Sequence, residues 1–193
     1  MSATPSTMLP LGTQAPQFSL PNAVDGSIVS LDQFRDRKAL LVMFICNHCP
    51  FVIHVRDEFG RLADDYLPKG LGIVAINANS TKTHPHDGPE GMKKLAEQQG
   101  WSFPFLFDED QAVAKAYRAA CTPDFYLFDG DMRLVYRGQL DDARPSNGKP
   151  VTGRDLREAI RATLAGEPVS ADQKPSIGCN IKWSPGNEPD YYR

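Results

Sequence analysis

Seven consecutive residues, Ala39-Leu40-Leu41-Val42-Met43-Phe44-Ile45, form an unbroken apolar run. A strand with one wet face alternates apolar and polar residues, so an unbroken run of strand length belongs in a sheet covered on both sides. A second such run, Leu71-Gly72-Ile73-Val74-Ala75-Ile76, follows the break Leu67-Pro68-Lys69-Gly70. Between them Val52, Val55, Phe59, Leu62 and Tyr66 recur at spacings of three and four, with Arg56, Asp57 and Asp65 interposed. That period predicts an amphipathic helix, opened by Pro50 near its first turn. Residues 39–76 read as one βαβ unit, and the chain as an α/β protein.

The flanking segments extend this frame. Phe18 to Leu20 and Ile28 to Leu31 surround the turn chemistry of Asn22-Ala23-Val24-Asp25-Gly26 and predict an N-terminal hairpin. Met92, Leu95 and Ala96 mark a short helix, Phe103 to Phe107 a strand, and Ala112 to Ala119 another helix. Phe125 to Phe128 and Leu134 to Tyr136 flank Asp129-Gly130-Asp131 as an antiparallel pair. Leu156, Ile160 and Leu164 form the stripe of a closing helix that Thr152 is expected to cap. The outcome is a mixed central sheet flanked by helices.

A chain of 193 residues with 41% apolar content supports one core, placed at 11–165. Residues 1–10 are expected to be a flexible arm, part of a loosely held start running to Pro16. Residues 166–193 are expected to form a C-terminal tail that packs on the domain through the apolar patch Ile177 to Trp183. The net charge of −3 is spread along the chain, which argues against nucleic acid or an anionic membrane surface as partner. No apolar run reaches membrane-spanning length, and Met1 to Pro16 carries no export signal, so a cytoplasmic location is expected. In that reducing setting paired cysteines are more often catalytic or metal-binding than structural.

The pair in question is Cys46-Asn47-His48-Cys49, at the junction of the first buried strand and the amphipathic helix. Two thiols three residues apart at a helix start can close a disulfide. Backbone N–H groups, the helix dipole and a protonated His48 all favour a thiolate at Cys46. Spacing alone leaves two other readings: two buried cysteines without chemistry, or a metal site of Cys46, His48 and Cys49. No second Cys-x-x-Cys or His-x₃-His completes a tetrahedral set, so neither a metal nor another cofactor is expected. His84-Pro85-His86-Asp87 reads as a solvated loop, Asp64-Asp65 and Asp141-Asp142 as carboxylates without a catalytic role, and Trp101 and Trp183 as packing residues.

Phe44-Ile45-Cys46-Asn47-His48-Cys49-Pro50 resembles the active-site segment of the thioredoxin superfamily, and Thr122-Pro123, before Asp124-Phe125, resembles its second hallmark. Gly12, Ala15, Pro16 and Phe18 add the pattern of the alkyl hydroperoxide reductase/thiol-specific antioxidant (redoxin) branch. Tyr136-Arg137-Gly138 and Gly178-Cys179-Asn180-Ile181-Lys182-Trp183 narrow the resemblance to a peroxiredoxin-like subgroup with a Cys-Asn-His-Cys-Pro motif, over about residues 10–183. The resemblance implies a thioredoxin-like fold in which Cys46 attacks and Cys49 resolves. It also implies a cis Thr122-Pro123 bond beside them, with Thr122 offering backbone bonds to an extended substrate.

The partners implied are a protein disulfide or a small thiol or peroxide, and a reductant such as thioredoxin or glutathione. Typical peroxiredoxins carry Pro-x-x-x-Thr-x-x-Cys; here Cys46 stands at the Thr position and Cys49 at the peroxidatic one. Thiol–disulfide exchange is therefore the leading expectation, a thiol peroxidase the alternative, and a non-catalytic metal-binding or redox-sensing module the third. A His before the second cysteine resembles the more oxidising relatives, so the couple is expected above thioredoxin's roughly −270 mV. Cys121, two residues before Pro123, and Cys179 in the tail are possible auxiliary thiols.

Overall fold

The computed structural model describes residues 3–192; Met1 and Ser2 of the expected arm and Arg193 of the tail lie outside the described residues. In chain order the elements are β1 (Ala3–Pro5), β2 (Ser19–Pro21), β3 (Ile28–Ser30), β4 (Ala39–Phe44), α1 (Pro50–Tyr66), β5 (Leu71–Asn77) and α2 (Pro89–Gln99). Then follow β6 (Phe105–Phe107), α3 (Ala112–Ala116), β7 (Cys121–Thr122), β8 (Asp124–Asp129), β9 (Leu134–Gly138), α4 (Arg154–Leu164) and β10 (Ile177–Asn180).

β4 is buried at every residue because it lies at the centre of a five-stranded sheet of order β6-β5-β4-β8-β9. It runs parallel to β5 and antiparallel to β8, so the sheet is mixed, as its sequence predicts. Successive side chains of β4 point to opposite faces. Leu41 and Met43 join the core under α1, α2 and α4, through Phe59, Leu62, Leu95 and Ile160. Leu40, Val42 and Phe44 join the other core, with Leu20 and Val29 of the hairpin, Tyr117, and Ile181 and Trp183 of the tail.

Two expectations need correction. Residues 3–5 of the expected arm form β1, which pairs antiparallel with β10 (Ala3 opposite Cys179, Pro5 opposite Ile177), and the Ser6 N–H donates to the Ser176 carbonyl at 2.8 Å. Pairing through backbone alone leaves no side-chain period in so short a polar segment. The cap of α4 is Gly153, in the left-handed region at φ 66, rather than Thr152. Asp141 holds that turn, its Oδ2 accepting the N–H groups of Thr152 and Gly153, both at 2.7 Å. Across the helical layer, the buried Glu58 of α1 accepts from Arg157 of α4 at 2.5 Å and from Arg61 at 2.7 Å. Among the described residues no helix is long and apolar enough to cross a membrane.

Candidate active site

The end of β4 delivers Cys46 into a buried corner, 3% exposed, with the Ile45 N–H still bonded to the Ile76 carbonyl at 3.0 Å. Helix α1 starts at Cys49: this residue is extended (φ −71, ψ 125), Pro50 is the first helical residue, and the Cys49 carbonyl accepts the N–H groups of Val52 and Ile53. The Thr122-Pro123 bond is cis, as the motif implies. Thr122 touches both sulfurs. Cys46 Sγ is 3.4 Å from its hydroxyl, and Cys49 as a thiol donates to its carbonyl oxygen at 3.3 Å.

A hydrogen bond between the two thiols shifts them in opposite directions. A hydrogen bond from the Cys46 thiol lowers Cys49 to about 5, against the opposing effect of burial and with further help from the Cys179 thiol and the Val52 N–H. Cys46 is pushed well above its ordinary value, first by the proton it shares with Cys49, then by burial and by repulsion from the Cys49 charge. The lowering falls on Cys49 rather than on Cys46, where the sequence places the thiolate.

His48 engages Asp87 beside the cysteine turn. Its Nδ1 lies 3.0 Å from Asp87 Oδ1, and its ring packs edge-on against His86, centroids 4.3 Å apart. Asp87 is 2% exposed and organises the whole loop. Its carboxylate accepts from the Asn47 N–H (3.1 Å) and Asn79 Nδ2 (3.0 Å), while its carbonyl accepts from Asn77 Nδ2 (2.6 Å). Asn47 Nδ2 in turn donates to the His86 carbonyl at 3.2 Å. The segment expected as a solvated loop is therefore the clamp of the Cys46–Cys49 turn, a role that no local pattern announces because its partners lie about 40 residues away in sequence.

A cavity of about 210 Å³ is lined by Cys46, Cys49, Cys179, His48, His84, His86 and Asp87, among others. Cys121 does not line it. That thiol is fully buried, its Sγ 3.8 Å from the Pro123 carbonyl, and burial raises it well above the usual range. Among the described residues, His48, His86 and Asp87 place ligand atoms within 4.8 Å of one another, a metal-competent trio distinct from the Cys46, His48 and Cys49 set weighed from sequence. Asp87 in that trio is already engaged by two donors from outside it, the Asn47 N–H and Asn79 Nδ2. The backbone edge of Thr122, expected to receive an extended substrate, is occupied by β10, with Cys179 opposite Thr122 and Asn180 opposite Cys121.

The Redoxin family model matches residues 10–153. Thiol-disulfide oxidoreductase ResA of Geobacillus kaustophilus is 26% identical over 139 residues, 71% of this chain and 75% of that protein. Peroxiredoxin Bcp of Escherichia coli is 25% identical over 162 residues, 78% of this chain and 97% of its own. A crystal structure of an uncharacterized conserved protein from Geobacillus kaustophilus superposes with a TM-score of 0.94 at 59% identity, covering 96% of this chain and 98% of that one. With its mixed sheet, its cysteine pair at a helix start and these relatives, the chain belongs to the Redoxin family and is an oxidoreductase with a thioredoxin-like fold.

Proposed function

We propose that the chain exchanges thiols and disulfides through Cys46 and Cys49. The observation that carries this reading is the placement of two buried sulfurs on Thr122 in one cavity at the start of α1, Cys46 Sγ 3.4 Å from its hydroxyl and Cys49 Sγ 3.3 Å from its carbonyl oxygen, where the hydrogen bond between the thiols favours one thiolate and one reserve thiol. The Cys49 thiolate attacks a substrate disulfide, giving a Cys49 mixed disulfide and one released thiolate. The shared proton and the repulsion that hold Cys46 protonated vanish with the Cys49 charge, so Cys46 ionises more readily and attacks Cys49 Sγ. The second substrate thiolate leaves, the Cys46–Cys49 disulfide closes, and two electrons have passed to the substrate. A thiol reductant such as thioredoxin or glutathione, in a reducing cytoplasm, restores the dithiol.

Stabilising a thiolate stabilises the reduced form, which makes the couple more oxidising than thioredoxin's roughly −270 mV. Equilibration in glutathione buffers checks this, and a value at or below thioredoxin's contradicts it. The exchange itself is tested with cystine and with insulin as substrates. Cys49→Ser is expected to abolish reduction of both, and undiminished turnover in that variant defeats the proposal.

A charge on Cys49, the peroxidatic position of the redoxin pattern, supports a second reading as a thiol peroxidase. There the thiolate takes one oxygen from a hydroperoxide, releasing the alcohol, and Cys46 condenses with the sulfenic acid to give the same disulfide and water. Sulfenic acid labelling of Cys49 in a Cys46→Ser/Cys179→Ser variant supports this chemistry; unlabelled Cys49 under peroxide excludes it.

A further inference from the structure

Cys179 has no part in the steps above, yet the fold brings it to the thiols by several separate devices. The antiparallel pairing of β10 with β7 sets Cys179 directly opposite Thr122, the residue both active-site sulfurs touch. Gly178 permits that approach: a Cβ there would lie 1.9 Å from the Thr122 carbonyl oxygen. The strand is fastened at each end, by Ser176 Oγ donating to the Pro123 carbonyl at 2.6 Å and by the Ile181 N–H donating to the Ala120 carbonyl at 3.0 Å. Cys179 lines the same cavity as Cys46 and Cys49 and hydrogen-bonds to the Cys49 sulfur. A strand laid along this edge presents its cysteine much as an extended substrate would.

We propose that Cys179 is a third redox thiol of the site, delivered by the C-terminal strand and able to close a disulfide with Cys49. The proposal rests on the exchange reading. When Cys49 carries a mixed disulfide, the Cys179 sulfur attacks Cys49 Sγ. The bond from Cys49 to the substrate sulfur breaks, the Cys49–Cys179 bond forms, and the departing thiolate takes the proton that Cys179 gives up. Cys46 then attacks Cys49 Sγ in its turn, which moves the disulfide to Cys46–Cys49 and returns a proton to Cys179. The chain has lost two electrons and the substrate disulfide has gained them.

The experiment treats the reduced full chain with cystine, quenches in acid, alkylates and maps the disulfides by mass spectrometry. Cys46→Ser is expected to end as the Cys49–Cys179 disulfide, and Cys46→Ser/Cys179→Ser to stop at a cysteine adduct on Cys49. A second arm uses the unmutated chain at early times, where the Cys49–Cys179 peptide is expected beside Cys46–Cys49. If Cys46→Ser holds a lasting adduct with Cys179 open to alkylation, and the unmutated chain yields only Cys46–Cys49, this inference falls and the exchange reading stands. If the unmutated chain forms neither adduct nor disulfide, the exchange reading falls and takes this one with it.

Discussion

Cys49 is lowered first by the hydrogen bond it receives from the Cys46 thiol. As the cap residue it meets the free N–H of Val52, and its neighbours Cys46 and Cys179 both offer protons. A group lowered to about 5 is ionised at neutral pH and regains its proton as pH falls through that value. The alkylation rate of Cys49 is therefore expected to be flat at neutral pH and to fall through a midpoint near 5. Cys46→Ala removes the largest cause of the shift and should move the midpoint upward. An unmoved midpoint would show that Cys46 does not share its proton.

Asp87 invites a complementary test at the same scale. Asp87→Ala leaves the buried Asn47 N–H and Asn79 amide without their acceptor, at about 1–3 kcal/mol for each unsatisfied group. The urea midpoint and the exchange rate should both drop, and Asp87→Asn, which keeps one acceptor oxygen, should recover part of each. The cysteines and the Thr122-Pro123 pair were legible in sequence because their motif is contiguous. Asp87 was not, because its meaning depends on Asn47, Asn77 and Asn79 arriving from other elements.

At the scale of elements, legibility followed periodicity. β4, α1 and β5 could be read because two-sided burial and the three-four spacing are written over whole segments. β1 spans only three residues and β10 four, and they are held by backbone pairing, which any side chains permit, so their sequence carries no comparable period. Gly178 is the exception, a residue whose identity the pairing dictates. Gly178→Ala is expected to push β10 off β7, costing about 1–3 kcal/mol as an overpacked site does. Cys179 alkylation in the native state should then accelerate. A variant with unchanged unfolding midpoint and unchanged Cys179 reactivity would mean that β10 does not hold this close approach.

For the molecule as a whole, the two faces of one sheet carry the stability and β8 links them to the site. Directly after the cis proline, Asp124 binds Arg137 of β9 through two contacts, at 2.7 and 3.1 Å, with both side chains fully buried. The guanidinium also stacks on Tyr126, 3.8 Å from its ring centroid. The family-like Tyr136-Arg137-Gly138 thus places its arginine against β8, the strand that follows the cis proline. Asp124→Asn leaves that guanidinium without its counter-charge and should cost about 3–5 kcal/mol, read from urea unfolding. A loss within experimental error would show that the buried pair is dispensable.

The measurement that bears most directly on thiol–disulfide exchange is cystine reduction, followed by release of free thiol under a supply of reductant. The unmutated chain should turn over, Cys49→Ser should not, and Cys46→Ser/Cys179→Ser should take up cysteine on Cys49 once and stop. Sustained turnover by Cys49→Ser would contradict the account.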